Sequence, residues 1–289
     1  MTRYVLNVVG EGVDSAFPTT YLPNHEKPVL LSRGKAFEIG FDGDPAKALA
    51  AARGFNEGRA FDINVLPAGN RRKKLLIADM DSTIISCEVL DELADMAGIK
   101  PRIAAITERA MNGEIEFAPA LRERVALLKG LGLDALERVW RERVKLNPGA
   151  RALVATMKKH GARALLVSSG FAYFTERVAA QIGFDANQAN VLLDDGALLT
   201  GLVREPVLGR ETKLNVLMAE TARLGISTDD ALCVGDGAND IDMIRRAGLG
   251  VAYHAKPILV SAAAASVTHG DLTGLLYLQG YRDEEIEGL

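Results

Sequence analysis

The run Leu75-Leu76-Ile77-Ala78-Asp79-Met80-Asp81-Ser82-Thr83 sets two carboxylates, one residue apart, at the end of a short apolar stretch. A second stretch, Ala231-Leu232-Cys233-Val234-Gly235, runs into Asp236-Gly237-Ala238-Asn239-Asp240. A third, Ala162 to Ser168, ends in Ser168-Ser169-Gly170. Strands of a parallel sheet bind ligands just beyond their carboxyl ends, so three such strands would pool their polar termini in one pocket. Clustered carboxylates repel one another and persist mainly when a cation or shared protons offset them. An oxygen-only donor set suits Mg²⁺, which usually travels with phosphate. The chemistry in outline is phosphoryl transfer.

That reaction needs a nucleophile and several offset charges, because phosphate monoesters are among the slowest compounds to hydrolyse unaided. Asp79 is suited to attack phosphorus and form an aspartyl-phosphate. Asp81 can protonate the departing alkoxide and later take a proton from water, provided neighbouring carboxylates raise its pKa. Asp236 and Asp240 can complete a cation shell. Ser168 and nearby amides can bond phosphate oxygens, and Lys213 offers a compact positive charge. Singly, each residue has a plainer reading: an Asp-x-Asp loop, a turn and cap at Asp236 and Asn239, a strand-end serine, a surface lysine. The coincidence at three strand ends is what favours chemistry.

The elements that must position these groups can be read in the same way. From Lys74 onward strands and helices alternate, which implies a mostly parallel α/β sheet with right-handed crossovers. Ala150, Leu153, Val154 and Met157 form a helical stripe closed by Gly161; Phe171, Phe174, Val178 and Ile182 form another. Leu214, Leu217, Met218 and Leu224 mark a helix, Leu249 to Tyr253 a strand, and Asp194-Asp195-Gly196 a hairpin turn. Asp81 and Ala162 lie about eighty residues apart, far more than one crossover needs. The helical composition of Glu88 to Lys145 predicts an inserted cap, at about 88–146, over the strand ends. Residues 1–70 predict a separate small α+β domain and linker, with strands at Tyr4–Val9, Pro28–Leu31, Ala36–Gly40 and Ala60–Val65, and a helix capped by Asp44. Residues 71–289 would be the core with its cap. The basic run Arg71-Arg72-Lys73-Lys74 reads as solvated charge at the exit of a linker rather than a nucleic-acid patch.

Composition narrows the classes. The 289 residues are 48% apolar and 25% charged, ordinary for a globular protein, and the net charge of −4 disfavours broad binding to nucleic acid or an anionic membrane. No apolar run reaches membrane-spanning length and the first residues lack a secretion pattern, so no membrane partner is expected and the cytoplasm is the default. Cys87 and Cys233 have no metal-ligand spacing and read as reduced packing residues.

With these motifs in place, the chain resembles the haloacid dehalogenase superfamily. Asp79-Met80-Asp81-Ser82-Thr83, Ser168, Lys213 and Gly235-Asp236-Gly237-Ala238-Asn239-Asp240 look like its four motifs. Cys87 to Ala94, Phe117 to Val125 and Ala247 to Pro257 bring it closest to the phosphoserine phosphatase family. The likeness covers about three quarters of the chain, from Lys74 onward. It implies a Rossmann-like core with a helical cap and a Mg²⁺-dependent hydrolase acting on O-phospho-L-serine in the last step of L-serine biosynthesis. It also implies Asp79 as nucleophile, Asp81 as acid/base, and Mg²⁺ held by Asp79, Asp236 and the Asp81 carbonyl with Asp240 and Asn239 in support. Glu88 would take the substrate ammonium and Arg124 its carboxylate, with Met111 and Phe117 walling the pocket. The resemblance departs at Ser169, where glycine is usual beside the motif serine, and the N-terminal segment lacks the helix expected after its first strand. A phosphotransferase passing phosphate to homoserine, a non-catalytic amino-acid sensor and a homodimer all stay open at this point.

Overall fold

The computed structural model describes residues 3–13, 19–56, 58–111 and 114–289. At the N-terminus β1 (Arg3–Val9), β2 (Val29–Ser32), β3 (Ala36–Asp42) and β4 (Asp62–Pro67) form an antiparallel sheet in the order β2-β3-β1-β4. Helix α1 (Pro45–Gly54) covers it, and its cap is Asp44, whose carboxylate accepts from the Ala46 and Lys47 amides. Between β1 and β2 the described residues contain no helix, and residues 14–18 lie outside them.

The second sheet begins with β5 (Leu75–Ala78), all four residues buried. Helices α2 (Val89–Met96), α3 (Lys100–Met111), α4 (Phe117–Ala126) and α5 (Leu133–Glu142) follow. Then come α6 (Ala150–Lys159), β6 (Arg163–Phe171), α7 (Ala172–Ile182) and β7 (Ala186–Asn190). A hairpin of β8 (Leu192–Asp194) and β9 (Leu199–Val203) leads to α8 (Arg210–Leu224). The chain closes with β10 (Ala231–Gly235), α9 (Ile241–Arg246), β11 (Leu249–Tyr253), α10 (Pro257–Val260), β12 (Ala265–Val267) and α11 (Gly274–Leu278). The six-stranded order is β12-β11-β10-β5-β6-β7, every pairing parallel. Because helices cover both faces, the inner strands read as continuous apolar runs rather than alternating ones, unlike the edge strand β7 with Asn187, Gln188 and Asn190. Strand order reverses between β5 and β10, and open α/β sheets bind ligands at that kind of crevice. Asp79 and Asp236 follow these two adjacent parallel strands, at the same end of the sheet.

Helices α2 to α5 are inserted through a narrow neck. Ser86 N donates to Lys145 O and Asn147 N to Ile84 O, both at 2.9 Å, around an antiparallel bridge between Ile85 and Leu146. The Asn147 amide donates to Thr83 O (2.7 Å) and Ile85 O (3.2 Å), tying this neck to the turn after Asp81. The β8–β9 hairpin attaches to the inserted helices, with Gly130 N donating to Leu199 O at 2.8 Å and Leu199 N to Leu131 O at 2.9 Å.

Two expectations need correction. The strand expected over Ala60–Val65 begins and ends two residues later, and Pro67, read as linker, ends it. The basic run is solvated only in part: Arg72 and Lys74 are exposed, but Arg71 and Lys73 turn inward. The Arg71 guanidinium bonds the carbonyls of Tyr277 and Leu278 and pairs with Glu38 at 2.7 Å, and buried Lys73 donates to Asn70 O (2.6 Å) and Asp229 O (2.7 Å). These charges bind the chain crossing to carbonyls that would otherwise face a dry seam.

Candidate active site

β5 ends at the sheet centre, and Asp79 follows it with its side chain turned back to accept the Met80 amide at 2.8 Å. The next turn, Met80–Ile84, is tight, and Ser82 takes the left-handed region at φ 55°. This reversal lets Asp81 point across to β6 instead of continuing along β5. Asp81 Oδ2 accepts from Ser168 Oγ at 3.0 Å and Oδ1 from Val89 N at 3.0 Å. Gly170 leaves the necessary room, since a Cβ there would lie 2.5 Å from Asp81 Oδ2.

On the other flank, Asp236 leaves β10 and Asp240 closes the following turn, its Oδ2 accepting from Gly237 N at 3.2 Å. Lys213, near the start of α8 and 1% exposed, joins the two flanks. Its Nζ is 2.8 Å from Asp79 Oδ1 and 2.6 Å from Asp240 Oδ1. One oxygen each from Asp79, Asp236 and Asp240 lie within 4.8 Å of one another. One ammonium against three carboxylates leaves the cluster short of positive charge.

The electrostatics reflect that deficit. Burial, and then the Asp79 charge, push Asp240 up to about 7 against the pull of Lys213. Burial, Asp79 and Glu88 push Asp236 up to about 7 as well. Asp81 is held well above the usual carboxylate range, by burial first and then by Glu88 and Asp79. Burial alone would lower the Lys213 pKa, but Asp240 and Asp79 more than offset it, so the ammonium is held above its ordinary value. The donor set is all oxygen, partly dehydrated and negative, which fits a hard divalent cation of the Mg²⁺ type. The Asp81 carboxylate is not among the three that converge there; its oxygens turn to Ser168 and Val89 instead.

Comparison with known proteins agrees with this geometry. The haloacid dehalogenase-like hydrolase family model matches residues 76–245, more than half of the 289-residue chain. The chain belongs to that family. This hydrolase is 47% identical over 210 residues to a phosphoserine phosphatase of Polaromonas sp., spanning 71% of the chain and 89% of the relative. A phosphoserine phosphatase of Archaeoglobus fulgidus is 41% identical over 234 residues, 80% of the chain and 68% of the relative. The unliganded crystal structure of a probable phosphoserine phosphatase from Vibrio cholerae superposes with a TM-score of 0.78 at 30% identity. That match covers 96% of this chain and 86% of the other, so it takes in the N-terminal sheet.

The inserted helices of the hydrolase bring part of the expected substrate set to the pocket. Glu88 precedes α2, accepts from Ser82 Oγ at 2.6 Å, and is pushed up by lost hydration and by the Asp79 and Asp91 charges. Arg124 is partly buried on α4, its Nε donating to Ala120 O at 3.2 Å. Burial lowers its pKa, and the charges of Asp91 and Glu88 oppose that. The Phe117 ring covers Gly209 at the start of α8, where a Cβ would meet it at 3.0 Å. Met111 is different: it ends α3 and is 72% exposed. Asn239 is partly buried in the turn between Asp236 and Asp240.

Sequence reasoning missed several supporting residues. Lys256 N donates to Asp236 O at 2.9 Å, and its charge acts on Asp236 and Glu88. Buried Asn190, at the end of β7, donates to Ser169 O (2.8 Å) and Leu208 O (3.0 Å) and accepts from Leu208 N (2.8 Å). It thereby ties the Ser169 backbone to the segment leading into α8. β7 reads Ala186-Asn187-Gln188-Ala189-Asn190, so its sequence alone does not mark Asn190 out from its polar neighbours.

Proposed function

We propose that this hydrolase is a phosphoserine phosphatase, converting O-phospho-L-serine and water to L-serine and phosphate in the last step of L-serine biosynthesis. The observation that carries the reading is one buried carboxylate cluster, bridged by Lys213, that faces a cap offering one acid, Glu88, and one arginine, Arg124. That pair complements the ammonium and carboxylate of an amino acid, and the relatives named as phosphoserine phosphatases lend it support.

In this reading Asp79 attacks phosphorus while the bond from phosphorus to the serine oxygen breaks. Asp81, whose raised pKa keeps a proton available near neutral pH, gives that proton to the departing oxygen. It then takes a proton from the water that attacks the aspartyl-phosphate, which releases phosphate and restores Asp79. Lys213 offsets the charge between nucleophile and phosphate. Ser168, now bonded to Asp81, would rotate to a phosphate oxygen, with the Ser169 amide beside it. Glu88 and Arg124 hold the two ends of the amino acid, while Phe117 and Asn239 border them. Asp79, Asp236, Asp240 and the Asp81 carbonyl would hold Mg²⁺, which when bound offsets negative charge on the phosphoryl oxygens. The division at residues 70 and 71, with a cap at 88–146, belongs to the same reading. So does action in the cytoplasm on a free metabolite, in keeping with the free thiols of Cys87 and Cys233.

The test is phosphate release from a panel of phosphorylated metabolites, with and without a chelator. O-phospho-L-serine should be the preferred substrate, turnover should stop with chelator and return with Mg²⁺, and added homoserine should not divert the phosphate. Equal rates across the panel, or full activity in chelator, would reject the proposal.

A further inference from the structure

Asn190 is a buried side chain with both amide hydrogens committed, yet none of its side-chain partners belongs to its own strand. The pairing of β6 with β7 shows what it compensates. Val167 stands opposite Gln188 and Phe171 opposite Asn190, so Ser168, Ser169 and Gly170 together face Ala189 alone. A bulge of this kind breaks the ladder of backbone bonds and re-aims the side chains it carries. Here it brings Ser168 Oγ to Asp81 Oδ2 at 3.0 Å, with Gly170 N donating to the same Oγ at 2.8 Å. Asn190 Nδ2 supplies a bond to the looped-out stretch by donating to Ser169 O at 2.8 Å. Its other hydrogen goes to Leu208 O at 3.0 Å, and its Oδ1 accepts from Leu208 N at 2.8 Å. Leu208 lies five residues before Lys213, whose ammonium reaches Asp79 and Asp240 from the first turn of α8. One carboxamide therefore spans the two backbones that carry Ser168 and Lys213.

We infer that Asn190 is a positioning residue for phosphoryl transfer: its carboxamide fixes the bulge at 168–170 against the entry of α8, so that Ser168 Oγ and the Lys213 ammonium address one phosphoryl group. The inference rests on the proposed phosphatase reading and deepens it. The bulge's bonds through Ser168 Oγ must loosen when that hydroxyl turns to phosphate. The Asn190 bond to Ser169 O involves no reacting group, so it persists through that exchange. Asn190 itself bonds only backbone groups and acts by holding others. Misplacing reacting partners by about 1 Å costs on the order of 100-fold in rate.

The experiment compares the full-length wild type with Asn190→Ala, Asn190→Asp and, as a stability control, Asn7→Ala, in Mg²⁺. Asn7 is as buried as Asn190, and its amide on β1 donates to Tyr277 O of α11 at 2.9 Å. Melting temperatures are recorded first. Then kcat and KM for O-phospho-L-serine, and calorimetric affinities for orthovanadate and inorganic phosphate, are measured below every melting transition. All three variants should melt earlier, as expected when buried groups lose partners. Only the Asn190 variants should lose kcat, by about ten- to a hundred-fold, with KM moving far less. Their preference for orthovanadate over phosphate should shrink with kcat, because vanadate adopts the five-coordinate geometry of transfer and so reads the alignment of both flanks. Asn190→Asp keeps the Leu208 N bond and the side-chain volume but sets a carboxylate against two carbonyls, so it should lose as much as Asn190→Ala. Wild-type kcat in either folded Asn190 variant, or an unchanged preference for vanadate, would overturn the assignment. So would a kcat loss in Asn7→Ala in the same proportion to its melting temperature, or failure of both Asn190 variants to fold; either makes Asn190 an anchor of the fold alone. A wild type that binds vanadate but leaves phosphoserine intact would defeat the functional reading, and the vanadate arm would still judge Asn190.

Discussion

Lys213→Met removes the ammonium that bridges Asp79 and Asp240 while roughly preserving side-chain volume. In the wild type that ammonium lies 2.8 Å from Asp79 and 2.6 Å from Asp240, at 1% exposure. Deleting one member of a buried ion pair typically costs about 3–5 kcal/mol, because the remaining charge is left without compensation. For a chain of this size that corresponds to a melting temperature lower by roughly 6–20 °C. The loss must depend on pH. Asp240 stands at about 7 even with Lys213 present, and without it would stand higher. A carboxylate whose pKa is raised on folding contributes stability that is complete below its unfolded value and lost as pH rises through its folded value. The variant should therefore lose less relative to wild type near about pH 5 than near about pH 8, because protonating Asp240 removes one of the charges that Lys213 offsets. Differential scanning calorimetry in chelator at the two pH values measures this, with phosphate release run in parallel with Mg²⁺ and expected to be abolished. Equal destabilisation at both pH values would attribute the effect to packing and refute the charge argument. An unchanged melting temperature near pH 8 would refute it more directly.

Asp79→Asn should abolish phosphate release with the melting temperature held or raised, and appreciable turnover would contradict the covalent route. Arg124→Ala should raise KM for O-phospho-L-serine far more than for an aryl phosphate, since only the former offers a carboxylate; parallel losses would remove Arg124 from recognition. Mg²⁺ should raise the wild-type melting temperature more near about pH 8 than near about pH 5, because Asp236 and Asp240, both near 7, must ionise to bind it. Asp62→Ala should cost about 3 kcal/mol or more by leaving three amides without an acceptor, and calorimetry would show no such loss if water replaces the carboxylate.

Much of the candidate site was legible because its carriers obey local rules. Leu75–Ala78 and Ala231–Gly235 are uniformly apolar because both sheet faces are covered, and Asp79 and Asp236 follow them directly. What stayed hidden depends on partners far away along the chain. The Arg71 acceptors lie more than two hundred residues on, at Tyr277 and Leu278. A basic run followed by an apolar strand looks solvated until those carbonyls are in place. The Ser168 bond to Asp81 was hidden for the same reason, since it depends on the Ser82 turn and on the space left at Gly170.

The N-terminal sheet shows the limit most clearly, because there strand alternation alone does not say which face is solvated. Asp62 and Asn64 alternate with apolar residues along β4, a pattern that normally turns polar side chains to water, yet both are buried. The cause is the edge of the other sheet. β12 ends the six-stranded array, and an edge strand displays amides and carbonyls that need partners. Asn64 supplies both kinds at once, donating to Ser266 O at 3.0 Å and accepting from Ser266 N at 2.8 Å, as a neighbouring backbone would. The Asp62 carboxylate then takes the amides of Thr268, His269 and Gly270. Two polar side chains on one edge thus do the work of a missing strand. A polar face at helical or strand period is therefore a reliable sign of solvent only when no unpaired backbone edge lies within reach of it.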